Sequence, residues 1–165
     1  MAITLNGSTN VITPKTAVQP TGAILQVVSA TSSTVDQNPS ANDTWTNVDP
    51  SASITPSSTS SKILVIPSVA CNAWYVAFLG FKLRRTISGT TTDLREWWGY
   101  ESHTYYSSPQ GPQIHLDSPS TTSEVTYRYQ TYADNGADYM DWNFSGDTSN
   151  SALIKAEIYL VEVAG

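Results

Sequence analysis

The groups in this chain that could do chemistry are two histidines, one cysteine, a handful of carboxylates and a dense run of aromatic rings. Their spacing argues against most reactions. His103 and His115 stand alone, and neither keeps the ligand spacing of a zinc site. The stretch Asp134-Asn135-Gly136-Ala137-Asp138-Tyr139-Met140-Asp141 could cradle a cation, because carboxylates beside a glycine turn can hold calcium. It lacks the one-three-five oxygen spacing of a calcium loop, and Asp-Asn-Gly is also a good hairpin turn, so both readings stay open. Asp93, Glu96, Glu101 and Asp117 are the candidates for a glycosidase pair, which would have to face each other across a cleft at roughly 5–9.5 Å. A small β-domain offers few deep clefts. The many serines contain no Gly-x-Ser-x-Gly elbow, and two histidines leave a triad little to draw on. Cys71, the single cysteine, excludes an intrachain disulfide and sits in Val69-Ala70-Cys71-Asn72-Ala73-Trp74 as a small buried hydrophobe, with no base nearby to make it reactive. The expectation is a non-enzyme without metal or cofactor.

The aromatic run points to binding instead. From Trp97 the chain reads Trp97-Trp98-Gly99-Tyr100-Glu101-Ser102-His103-Thr104-Tyr105-Tyr106, followed by a loop-like Ser107-Ser108-Pro109-Gln110-Gly111-Pro112. In a strand, Trp97 and Trp98 must point to opposite faces, so they cannot both enter one core. The outward one needs a second apolar partner: a neighbouring subunit, a sugar ring stacked on the indole, or a long loop folded over that face. Trp97, Trp98, Tyr100, Tyr105 and Tyr106 are therefore the candidate partner or glycan interface. Tyr127, Tyr129, Tyr132, Tyr139 and Trp142 add to the supply of residue types enriched at interfaces.

The elements that must position these groups are strands. From Ala23 onward the apolar runs have strand length, are rich in β-branched and aromatic residues, and are bounded by Ser, Thr, Asn, Asp, Gly or Pro. About eight strands are expected, near 23–31, 43–49, 51–55, 61–71, 75–88, 92–101, 123–133, 139–145 and 151–163, with the two around Val48 acting as one broken strand. Alternation puts Ile154, Ala156, Ile158 and Leu160 inward against Lys155, Glu157 and Tyr159, and Val125, Tyr127 and Tyr129 against Thr126, Arg128 and Gln130. It also puts Lys82 and Arg84 on one face of their strand and Leu83 and Arg85 on the other. No window shows helical spacing with a cap. The fold expected is all-β, an antiparallel sandwich of jelly-roll or related Greek-key type over residues 23–165. Residues 1–22, with Pro14, Pro20 and turn chemistry between short apolar pairs, read as an extended arm. It is either a frayed end or a docking strap using Ile3, Leu5, Val11 and Ile12.

Composition bounds the partners. The 165 residues suit one domain. Charged residues make up only 13% of the chain, and Ser and Thr together about a quarter, so hydroxyls hold surface positions that charges usually take. A net charge of −6 argues against nucleic acid as a partner, since such binding draws its affinity from Lys and Arg on phosphates. The first residues have neither the basic start nor the apolar run of a signal peptide, and no stretch approaches a membrane span. Synthesis in a cytoplasm without membrane insertion is the expectation.

Three segments in order carry a resemblance. They are Val27-Val28-Ser29-Ala30-Thr31; Ile54-Thr55-Pro56-Ser57-Ser58-Thr59-Ser60-Ser61-Lys62-Ile63-Leu64-Val65; and Leu160-Val161-Glu162-Val163-Ala164-Gly165, with the Arg-bearing Phe81–Arg85 between the last two. Together with the opening Met1-Ala2-Ile3-Thr4-Leu5-Asn6-Gly7, this pattern resembles the terminal β-domains of fibre-type virion proteins of tailed bacteriophages, especially those of aquatic bacteria and cyanobacteria. The resemblance implies a homotrimeric virion structural protein without enzymatic activity, assembled in the host cytoplasm, and supplies no catalytic residues. The chain departs from long fibres in passing almost directly from arm to β-domain, with no shaft.

Three functions follow as expectations. The first is a trimeric tail appendage docked by its arm on other virion proteins and touching a host glycan or receptor. The second is a capsid decoration protein that stabilises the shell by lying on the major capsid protein. The third is a small carbohydrate-binding domain.

Overall fold

The computed structural model describes residues 19–32, 43–69, 71–74, 78–100, 112–133, 139–142 and 155–165. They form ten strands: β1 (Ile24–Thr31), β2 (Thr46–Ile54), β3 (Lys62–Ser68), β4 (Cys71–Trp74), β5 (Phe78–Ile87), β6 (Thr90–Tyr100), β7 (His115–Asp117), β8 (Val125–Ala133), β9 (Tyr139–Trp142) and β10 (Glu157–Val163). Eight of them build two four-stranded antiparallel sheets, ordered β1-β10-β3-β7 and β2-β8-β5-β6. With the small β4-β9 ribbon set aside, that order is the eight-strand, double Greek-key arrangement of a jelly roll. The all-β sandwich expected from the strand pattern is therefore present, with two strands more than the expected eight.

Among the described residues the inner faces follow the predicted alternation; Ile154, also expected inward, lies outside them. Ala156 just before β10, Ile158 and Leu160 of β10, and Ile63 and Val65 of β3 point from the first sheet into the core, against Val125, Tyr127 and Tyr129 of β8 and Leu79, Phe81 and Leu83 of β5 from the second. Val48, Ala52 and Ile54 join it from β2 and Trp97 from β6. The two expected segments around Val48 are one strand, whose register with β8 slips between Asn47 and Ser51, beside Pro50, which has no N–H to give to a ladder. The β5–β6 hairpin closes through Ser88 and Gly89, both at positive φ, the geometry whose twist suits a two-residue turn.

Polar clamps tie the sandwich together at two places. Asp117 of β7 is buried; Arg85 Nη1 donates to both its oxygens at 2.9 Å and the Tyr127 hydroxyl to Oδ2 at 2.7 Å. An edge strand of the first sheet is thus bonded to two strands of the second. Burial, then the Asp117 hydrogen bond, pushes the Tyr127 phenol far above its ordinary range.

The second clamp joins two of the three segments of the resemblance to Gln26, the residue just before the third. Glu162 continues the inward phase of Ile158 and Leu160 and is fully buried. Its Oε1 accepts from Ser57 N and Ser57 Oγ, each at 2.7 Å, and its Oε2 accepts from Gln26 Nε2 at 2.6 Å. The same Gln26 nitrogen donates to the Thr55 carbonyl at 2.8 Å. The Ser/Thr/Pro turn after β2 is thereby hooked onto β10 and β1. Burial works against the Glu162 charge, but the hydroxyls of Ser61 and Ser57, the Gln26 amide and the Ser57 N–H outweigh it and hold its pKa below the ordinary 4.5. Gly165 closes the same corner, since a Cβ there would run into the Ser60 carbonyl oxygen.

Candidate functional site

Strand pairing turns the outer face of the second sheet into a grid of side chains. Around Gly80, Lys82, Arg84 and Thr86 of β5, the partners on β6 are Trp98, Glu96, Asp93 and Thr91, and those on β8 are Tyr132, Gln130, Arg128 and Thr126. Along a strand, successive rows lie roughly 6.6 Å apart, two residues of rise. One end of the grid is aromatic, the middle is ionic and the other end carries hydroxyls.

At the aromatic end Trp98 is 55% exposed while Trp97 is 9% exposed, so the adjacent tryptophans take opposite faces as alternation requires. Trp97 enters the core with its ring centroid 6.3 Å from that of Tyr129, and is unavailable to an outside partner; in the candidate interface it gives way to Trp98. Trp98 meets Trp45 and Tyr132, each edge-on at 5.4 Å between centroids. Of the three partners weighed for the outward indole, part of the role falls to Trp45, from the segment just before β2. This cluster sits over Gly80, where a Cβ would come 2.8 Å from Trp45 Cη2 and 3.1 Å from Trp98 Cζ3. A glycine at that point lets the rings lie down on the backbone. Tyr100 lies in β6 opposite Phe78, with its side chain outside the described residues; Tyr105, Tyr106 and the arm residues Ile3, Leu5, Val11 and Ile12 lie outside them altogether.

In the middle, Lys82 Nζ lies 4.2 Å from the centroid of the Trp45 ring and bridges Glu96 at 2.9 Å and Asp93 at 3.2 Å. Burial works against the ammonium, but the two carboxylates outweigh it and hold the lysine above its ordinary value. Burial likewise works against Asp93, and Lys82 with Arg84 outweighs it, so this carboxyl stays ionised below its usual range. Arg84 Nε donates to Asp93 at 2.7 Å. Of the glycosidase candidates, Asp93 and Glu96 are thus neighbours committed to Lys82, while Asp117 is sealed between the sheets with Arg85. Glu101 and the 134–138 part of the acidic stretch lie outside the described residues.

At the hydroxyl end, Asn47, Arg84, Thr86, Thr91, Thr126 and Arg128 line a depression of about 330 Å³. The Thr86 and Thr91 hydroxyls are 2.9 Å apart, and Arg128 Nη2 donates to Ser51 Oγ at 3.2 Å. Nothing in the sequence marked this depression. Arg84 and Arg128 are 44 positions apart in the chain and meet only through the β5–β8 register, Arg84 opposite Arg128.

The outer face of the first sheet differs. Val27, Val161, Leu64 and Leu116 stand opposite one another across all four strands, one apolar row from edge to edge. Val27 is 59% exposed and Leu116 51%, with Ile114 also exposed beside the row. Compared with protein-family models and with curated proteins, the chain matches none of them.

Proposed function

We propose that this chain is a virion structural protein of a tailed bacteriophage. It forms a homotrimeric, fibre-like appendage, held to the particle by residues 1–22 and presenting its β-domain to the host surface. The observation that carries the assembly part of this reading is the apolar row Val27–Val161–Leu64–Leu116, a stripe that crosses the outer face of one sheet from edge to edge and is exposed at both ends. A second copy of the chain is the occupant the resemblance implies. Two of the segments that carry the resemblance, with Gln26 beside the third, meet at Glu162. By analogy of fold alone, jelly rolls serve in capsids and lectins.

With the first sheet turned toward its neighbours, the second sheet faces outward and offers Trp98 and the polar depression to a host glycan. Gold labelling of intact particles with an antibody against residues 23–165, viewed by electron microscopy, tests the placement. Label confined to the tail upholds the appendage; label over the head makes the chain a decoration protein on the major capsid protein; unlabelled particles sink both.

A further inference from the structure

Arg84 and Arg128 face each other directly across β5 and β8, and like charges in that position oppose pairing of the strands. Asp93 offsets Arg84 from the β6 side. On the far side Arg128 reaches Ser51 at 3.2 Å and Asp49 only at 3.9 Å. Among the described residues, Arg84 commits Nε and Arg128 commits Nη2, which leaves several guanidinium N–H groups for the depression between them. The lining of that depression contains two arginines, three threonines and an asparagine, and no carboxylate. Two guanidinium groups with neighbouring hydroxyl and amide groups suit a ligand that carries both a carboxylate and hydroxyls, since arginine forks bind carboxylates with two parallel bonds.

The aromatic end sets the rest of the ligand. Gly80, under the Trp98 ring, and Arg84 are four residues apart on β5, roughly 13 Å along an extended strand. That span fits a short oligosaccharide lying along the strand. An indole more than half exposed provides an apolar surface for the C–H face of a sugar ring. We propose that this face binds an acidic oligosaccharide, its carboxylate seated between Arg84 and Arg128 and a further sugar ring stacked on Trp98.

The proposal deepens the reading of the second sheet as the host-facing one and rests on it. It is tested with the full chain on a glycan array carrying hexuronic acid and sialic acid oligosaccharides beside their carboxyl-reduced forms, with inorganic sulfate as competitor. Acidic glycans should be retained at least tenfold better than their reduced forms. Arg128→Gln should cut that retention about tenfold and Trp98→Ala should shorten the lifetime of the longer glycans, with circular dichroism of both variants unchanged. Sulfate should compete only with the acidic set. Equal retention of acidic and reduced forms, no retention of any acidic glycan, or full retention by Arg128→Gln overturns the site. Light scattering on the same samples separates the two readings: a trimer that ignores acidic glycans sinks the site alone, and a monomer that binds them sinks the assembly alone.

Discussion

Removing the Glu162 carboxylate should weaken the fold more than any other single change in the turn it holds. Three donors converge on it, Ser57 N, Ser57 Oγ and Gln26 Nε2, all within 2.7 Å. A hydrogen bond to a charged group contributes about 1.5–3 kcal/mol, and bonds that share one acceptor do not add in full. Ser57 is exposed, so water can take over part of what Glu162→Ala releases there, whereas the site of Glu162 itself is sealed. A loss of about 3 kcal/mol follows, equivalent to a melting point roughly 6–12 °C lower for a domain of this size. Glu162→Gln keeps one acceptor oxygen for Ser57 but sets its amide nitrogen against Gln26 Nε2, donor to donor. It should lose about half as much.

The two proteins must also differ with pH. Glu162 titrates below its ordinary 4.5 in the folded chain, so its contribution is fully present above that value and is lost as pH falls through the depressed folded value. The gap between wild type and Glu162→Gln, measured by urea unfolding at pH 7 and at successive values below 4.5, should therefore close on acidification. A gap under about 0.5 kcal/mol at pH 7, within the scatter of neutral surface changes, or a gap that stays constant into acid, would refute the account of this corner.

Asp117→Ala strands Arg85 between the sheets and should cost about 3–5 kcal/mol by chemical denaturation, with Asp117→Asn costing less because it still accepts from Tyr127 and Arg85. Gly80→Ala forces a Cβ to 2.8 Å from Trp45; the aromatic cluster must lift, at about 1–3 kcal/mol, and tryptophan emission should shift to the red, whereas unchanged emission would mean the rings do not rest there. Glu96→Gln removes one of the two carboxylates on Lys82. The lysine should then titrate closer to its ordinary value, followed by NMR of the Nζ group; no shift would mean that Glu96 does not hold it.

Much of the fold was legible because burial on one face writes a period of two into the sequence. The inward phase of β10 and β8 and the split between Trp97 and Trp98 could be read that way, as could the separation of Lys82 and Arg84 from Leu83 and Arg85. Continuing the β10 phase one step past Leu160 reaches Glu162, so the buried carboxylate was also within reach of the pattern, although an acid at an inward position invites the opposite reading. β7 escaped because three residues followed by Ser-Pro carry no period. The arginine pair and the apolar row escaped for a different reason. Each depends on which residues of distant strands are set opposite one another, and Arg84 against Arg128, or Val27 against Val161, is a property of long-range register that no local window contains.

The mass of the full chain in solution, by light scattering for wild type and for Val161→Lys, decides whether the apolar row is an interface between copies of the chain. Wild type should weigh three times the 17.9 kDa chain and the variant should be a folded monomer, because the lysine charge falls in the middle of the apolar row. Wild type at 17.9 kDa across the accessible concentrations, or a variant that remains trimeric, would rule that interface out.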